Sequence, residues 1–187
     1  MGKFTFYDTG IQDMFVVEPT VYGDSRGYFM ETYNEEEFDR SGHALRFVQD
    51  NQSCSRYGVL RGLHMQRLHP QGKLVRVIHG EVYDVGVDLR TDSPTYGRWY
   101  GTILSEKNKR QIYVPEGFAH GFLVISEMAE FVYKCTQLYD ASDEIGIRYD
   151  DEEIGIDWPD MEGALMLSEK DRGLPSYREV RKMLETW

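Results

Sequence analysis

Residues 73–89 constrain the fold more than any other stretch of the chain. Residues 73–78 are a β-prone run, His79 and Gly80 offer a tight turn, and residues 81–89 lead back out. In the returning arm Tyr83, Val85, Val87 and Leu89 alternate with Asp84, Gly86 and Asp88. That is the two-residue period of a strand with one apolar and one polar face. A polar face carrying two aspartates is ordinarily solvated, yet inside a barrel it lines a cavity. The alternation fits both.

Similar runs recur along the chain. Residues 15–22 and 27–33 flank a turn at Gly23-Asp-Ser-Arg26-Gly27, and further strands are expected at 45–51, 58–64, 99–104, 111–114, 121–125 and 130–138. Turn chemistry falls at Asp92-Ser-Pro94 and Pro115-Glu-Gly117. Helical signals lie near the ends. Asn34 caps the acidic turn 35–40, and in the tail 175–187 Val180, Met183, Leu184 and Trp187 fall at helical spacing. Short strands with regular turns and flanking helices predict an all-β, antiparallel jelly-roll barrel or sandwich. With 187 residues and no repeat or linker, a single domain over 1–187 is expected.

The charge balance excludes one class of partner. There are 21 basic and 32 acidic side chains, a net charge of −11, which argues against a nucleic-acid coat. An acidic protein still binds phosphate where its few cations gather, and Arg61, Arg67, Lys73 and Arg76 cluster in sequence. Cys54 and Cys135 form no CxxC pair and are expected to be free, buried thiols of a reducing compartment. No apolar run approaches the roughly 18 residues of a membrane span, and the N-terminus lacks the apolar core of a signal peptide. A soluble, cytoplasmic protein without a membrane partner is expected.

Two motifs carry the chemistry. In Arg61-Gly-Leu-His64, with Lys73 nine positions on, a histidine lies between cations that disfavour its protonation. A neutral imidazole is a ready base, and the cations suit an anion or a developing oxyanion. A strand-edge histidine among surface charges is the plainer reading of the same residues. The second motif, Pro115-Glu-Gly-Phe-Ala-His120, has the P-x-G-x-x-H spacing of the latter half of the cupin signature, in which a turn aims a histidine into the barrel. Metal-binding cupins add an H-x-H pair, which here reads His64-Met65-Gln66, and His69 beside Pro70 is a poor substitute. A cupin-like barrel without a metal is therefore expected.

Read together, these motifs make the chain closely resemble the dTDP-4-dehydrorhamnose 3,5-epimerase family. The resemblance runs from Asp24-Ser-Arg26-Gly-Tyr-Phe29 to Leu167-Ser-Glu-Lys170-Asp171. It includes Phe47-Val-Gln49-Asp50-Asn51, Gly72-Lys73-Leu-Val, Asp84-Val-Gly-Val-Asp88-Leu-Arg90, Tyr133-Lys-Cys-Thr and Ile154-Gly-Ile-Asp-Trp158-Pro159. Met65 stands where an aromatic is common and Tyr149 where tryptophan is usual. The implied reaction inverts carbons 3 and 5 of a dTDP-linked 4-keto-6-deoxyhexose and supplies an L-rhamnose-type sugar for cell-surface glycans. Both carbons adjoin the ketone, so enolate formation acidifies their C–H bonds and no cofactor is required.

On that resemblance His64 is the base, Asp171 its carboxylate partner, and Tyr133 the proton donor on the other face. Lys73 stabilises charge on the 4-oxygen, and His120 contacts the substrate. Arg26, Arg61 and Lys170 suit the pyrophosphate. Glu31, Gln49, Asp50, Asn51 and Glu144 contact nucleotide or sugar, while Phe29 and Tyr139 pack against thymine or the ring. The family also implies a homodimer in which residues 26–31 cross to the neighbouring site. Three alternatives remain: an epimerase inverting one carbon or using another nucleotide-linked 4-keto sugar, a metal-dependent cupin, and a non-catalytic binding module.

Overall fold

The computed structural model describes residues 2–185, so the expectation for Trp187 lies outside the described residues. Thirteen strands and three short helices are present among them. In order they are β1 (Phe4–Asp8), β2 (Phe15–Pro19), β3 (Tyr22–Asp24), β4 (Gly27–Phe29), α1 (Glu35–Arg40), β5 (Gln49–Arg56), β6 (Leu60–Gln66) and β7 (Lys73–His79). There follow β8 (Glu81–Asp88), β9 (Trp99–Ser105), β10 (Gln111–Val114), β11 (Phe118–Val124), β12 (Met128–Cys135), β13 (Glu144–Gly146), α2 (Glu169–Arg172) and α3 (Tyr177–Glu185).

The strands form two facing antiparallel sheets. One has six strands in the order β1-β2-β10-β7-β12-β5, the other five in the order β13-β6-β11-β8-β9, and β3-β4 is a separate hairpin. This is the cupin-like jelly roll expected from the sequence. Alternation along β7 sends Val75 and Val77 inward, where they meet Phe131 from β12 and Val82, Leu104, Phe122 and Val124 from the other sheet. Leu74 turns the opposite way, to Phe15, Tyr113 and Phe38. Each such side chain is removed from water almost completely, a stabilisation of about 1.5–3 kcal/mol apiece.

The departures from the expected elements have local causes. The run 15–22 breaks at Pro19, which ends β2 because proline has no ladder donor. The expected strand 45–51 begins only at Gln49 and runs on to Arg56. Its sequence, QDNQSCSR, carries little β signal, and its structure comes from pairing with β12 from Cys135↔Gln49 to Met128↔Arg56. The short β1 and β13 are likewise held by neighbours.

The polar face of β8 is not solvated. Asp84 and Asp88 are fully buried. Asp88 Oδ2 accepts from Arg90 Nη2 at 2.9 Å and from Thr95 Oγ1 at 2.6 Å, so it ties down the loop after β8. Cys135 is buried, but Cys54 lies on the outer face of β5 and is exposed, contrary to expectation.

Candidate active site

A cavity of about 520 Å³ opens between the two sheets. β6 contributes Arg61 and His64 to its wall, β7 Lys73, β11 His120, and β12 Phe131 and Tyr133. A segment running into α2 adds Ser168, Lys170 and Asp171. The glycines in the two motifs make the walls fit. His120 and His64 are register partners across β11 and β6. A Cβ on Gly121 would lie 2.6 Å from the Arg61 carbonyl oxygen. A Cβ on Gly62, whose φ is +106°, would lie 2.6 Å from the His120 carbonyl oxygen. Only glycine permits this approach.

His64 and Asp171 are joined despite a separation of 107 residues, with Nε2 lying 2.6 Å from Oδ1. A proton on Nε2 donates to the carboxylate and leaves the Nδ1 lone pair free. Glu144 Oε1 is 3.8 Å from the same nitrogen. Burial lowers the His64 pKa, against the raising charges of Glu144 and Asp171, and Lys73 adds a smaller downward push. The sequence argument therefore has the direction right and the main cause wrong. Burial, more than neighbouring cations, keeps this imidazole neutral.

Tyr133 comes from the opposite sheet. Burial raises its phenol pKa, with the nearby Cys135 adding to the shift and Arg61 opposing it, so the group stays protonated across the neutral range. Burial lowers the Lys73 pKa, opposed by Cys135, Glu144 and Asp84. His120 Nε2 is 3.0 Å from both carboxylate oxygens of Asp84. Lys170 forms an ion pair with Glu144. Burial raises the Glu144 carboxyl, but Lys170, His64 and Tyr139 outweigh it and hold the group low. Arg61 Nε donates to Ser55 Oγ at 3.1 Å.

The other expected site residues are distributed more widely. Asn51 shares the inner face of β5 with Ser53 of the cavity wall, since they pair with Tyr133 and Phe131 of β12. Gln49 lies on that face too; its Nε2 donates to Asn51 Oδ1 at 3.0 Å and its Oε1 accepts the Tyr139 amide at 3.0 Å. Asp50 alternates to the outer face, where it pairs with Lys134 at 2.9 Å. Arg26 and Phe29 sit on the exposed β3-β4 hairpin away from the cavity, with Arg26 bound to Asp24 at 2.6 Å. Glu31 pairs with Lys3 and accepts from Asn34 at 2.9 Å. Sequence reasoning missed Asp84 as the partner of His120, and Ser168 beside Asp171. Ser168-Glu-Lys-Asp171 has the spacing of a helix cap and could have flagged the second. Among the described residues no group of three His, Cys, Asp or Glu side chains is arranged to hold a metal ion.

A sequence model described as dTDP-4-dehydrorhamnose 3,5-epimerase matches residues 8–179. The chain belongs to this family. The dTDP-4-dehydrorhamnose 3,5-epimerase of Methanothermobacter thermautotrophicus is 55% identical over 180 residues, covering 96% of this chain and 97% of that one. That of Pseudomonas aeruginosa is 55% identical over 163 residues, covering 87% and 90%. The solved dTDP-6-deoxy-D-glucose-3,5-epimerase of Legionella pneumophila Philadelphia 1, in complex with dTDP-4-keto-L-rhamnose, superposes with a TM-score of 0.92 at 47% identity, covering 97% and 96%. The two positions expected from the resemblance to depart from the family pattern, Met65 and Tyr149, lie off the cavity. Met65 is buried in a core cluster, and the Tyr149 carbonyl accepts from the Trp158 indole at 2.9 Å.

Proposed function

We propose that the protein is a dTDP-4-dehydrorhamnose 3,5-epimerase, converting dTDP-4-keto-6-deoxy-D-glucose to dTDP-4-keto-L-rhamnose. One observation carries this reading: a carboxylate-bound histidine and a phenol line one cavity from opposite sheets, and burial favours the neutral form of each. Epimerisation next to a ketone needs a base on one face of the ring and a donor on the other. His64 removes the proton from carbon 3 or 5, and Asp171 stabilises the resulting imidazolium. Lys73 and His120 line the same cavity, which supports Lys73 as the group that stabilises charge on the 4-oxygen and His120 as a substrate contact. Tyr133 returns a proton to the opposite face. The chemistry calls for no redox cofactor and no metal.

Arg61 and Lys170 suit the pyrophosphate, which would compete with Glu144 for the lysine. Gln49, Asn51 and Tyr139 form a connected polar and aromatic group suited to the nucleotide. A homodimer belongs to the same reading. Tyr22, Tyr28 and Phe29 leave the β3-β4 hairpin with an exposed aromatic surface, which supports a hairpin that delivers Arg26, Phe29 and Glu31 to a neighbour. The two free cysteines suit a cytoplasmic enzyme, and no helix among the described residues is long and apolar enough to cross a membrane.

The test is an NMR time course with dTDP-4-keto-6-deoxy-D-glucose in deuterated water, with and without chelator. Deuterium entering at carbons 3 and 5 regardless of chelator is the expected result. Entry at one carbon alone would make this a mono-epimerase, and no exchange would overturn the reading.

A further inference from the structure

The two oxygens of the Asp171 carboxylate are used differently. Oδ1 lies 2.6 Å from His64 Nε2, while Oδ2 accepts the Ser168 hydroxyl at 2.8 Å. The same hydroxyl oxygen accepts the Asp171 amide at 3.1 Å, so Ser168 caps α2 and also grips the side chain three residues on. In a usual capping box the acidic third residue turns back to the amide of the cap. Here its carboxylate leaves the helix for β6 instead. The cap is itself tied to that strand. The Met166 amide donates to the Gly58 carbonyl at 2.8 Å, and the Leu60 amide to the Met166 carbonyl at 3.0 Å. The loop of contacts thus begins at the entry to β6 and closes on His64 near its far end.

A carboxylate turns readily about its last torsion. One anchored oxygen would leave it free to swing, whereas two anchors fix its plane. We propose that Ser168 is a positioning residue for the general base, holding Oδ2 so that Oδ1 faces His64 Nε2 and fixes which ring nitrogen carries the proton. The inference rests on the reading of His64 as the base.

The charged and titratable groups around His64 are Arg61 from β6, Asp171 and Lys170 from α2, Glu144 from β13, Lys73 from β7, His120 from β11 and Tyr133 from β12. Asp171 and Glu144 favour its protonated form, and Lys73 disfavours it. If the carboxylate swings away, the imidazolium loses a partner and the acidic limb of kcat/KM moves to lower pH. If the carboxylate stays and merely loses a donor, the limb moves up. The sign therefore separates positioning from a simple change in hydrogen bonding.

The experiment compares the full chain with S168A, S168G, S168T and H64A, measuring turnover and deuterium entry with dTDP-4-keto-6-deoxy-D-glucose over roughly pH 5 to 9. Glycine is tolerated at a helix cap nearly as well as serine, so S168G removes the hydroxyl while sparing the helix. S168A and S168G should lower kcat about 10- to 100-fold with KM little changed, and shift the acidic limb down. S168T should restore both. Near-normal turnover with an unshifted limb in S168G overturns the proposal alone, provided H64A is inactive, as does an upward shift or a folded S168T that fails to rescue. Exchange persisting in H64A overturns the base assignment and this inference with it.

Discussion

Asp171→Asn keeps the shape of the side chain and removes its charge, which makes it the sharpest probe of the base. In the native site Nε2 and Oδ1 are 2.6 Å apart, with charge centres separated by about 4 Å once protonation spreads over the ring and carboxylate. At an effective dielectric constant near 20 that attraction is about 4 kcal/mol. The His64 side chain is 25% exposed, so water screens part of it, and about 2–4 kcal/mol is the expected share of the barrier. That corresponds to a roughly 30- to 1,000-fold loss of kcat. An amide can also present its N–H₂ to Nε2, forcing the proton onto Nδ1 and removing the free lone pair. KM should change little, because the imidazolium exists only during the reaction. The assay is the rate of deuterium entry at carbons 3 and 5 under saturating substrate, followed by NMR. A variant within about threefold of the native rate would refute the argument that this carboxylate stabilises the base.

Tyr133→Phe should leave C–H exchange at carbon 3 or 5 partly intact while inversion falls at least about 100-fold; NMR analysis of exchanged substrate against product separates the two. Gly62→Ala should destabilise the fold by about 2–4 kcal/mol through a positive φ and a collision with the His120 carbonyl, read as a lower urea midpoint. It should also weaken activity, because β6 carries His64. Burial holds His64 and His43 below their ordinary value of 6.5, so each is neutral when folded and protonated when unfolded at mildly acid pH. Unfolding then takes up protons, and stability should fall as pH drops below about 6.5 until the folded histidines themselves titrate. Thermal melts of the H64Q variant should show a shallower loss over that window; an unchanged slope would count against it.

The jelly roll was legible where residues alternate, as in β8, and at turns such as Pro115-Glu-Gly117. It was not legible in β5, whose polar sequence becomes a strand only beside β12. Burial of Asp84 and Asp88 was equally hidden, because alternation gives two faces without saying which is wet. In the site, His64, Lys73 and His120 stood out by spacing and charge. Asp171 did not, since nothing local reveals a partner brought by a turn at the far end of the chain. Only resemblance to the family singled it out. The causes of the pKa shifts also needed the fold, as burial outweighs the neighbouring charges at His64.

The separation of 107 positions between His64 and Asp171 also sets an order in time. Synthesis runs from the N-terminus, and strands can pair as they emerge. The two sheets, with His64, Lys73, His120 and Tyr133, are complete in sequence by Gly146. Asp171 follows later, so a nascent chain can hold the pocket before it holds the carboxylate that pairs with His64. The chemistry proposed for the pocket is then acquired only after the walls that enclose it.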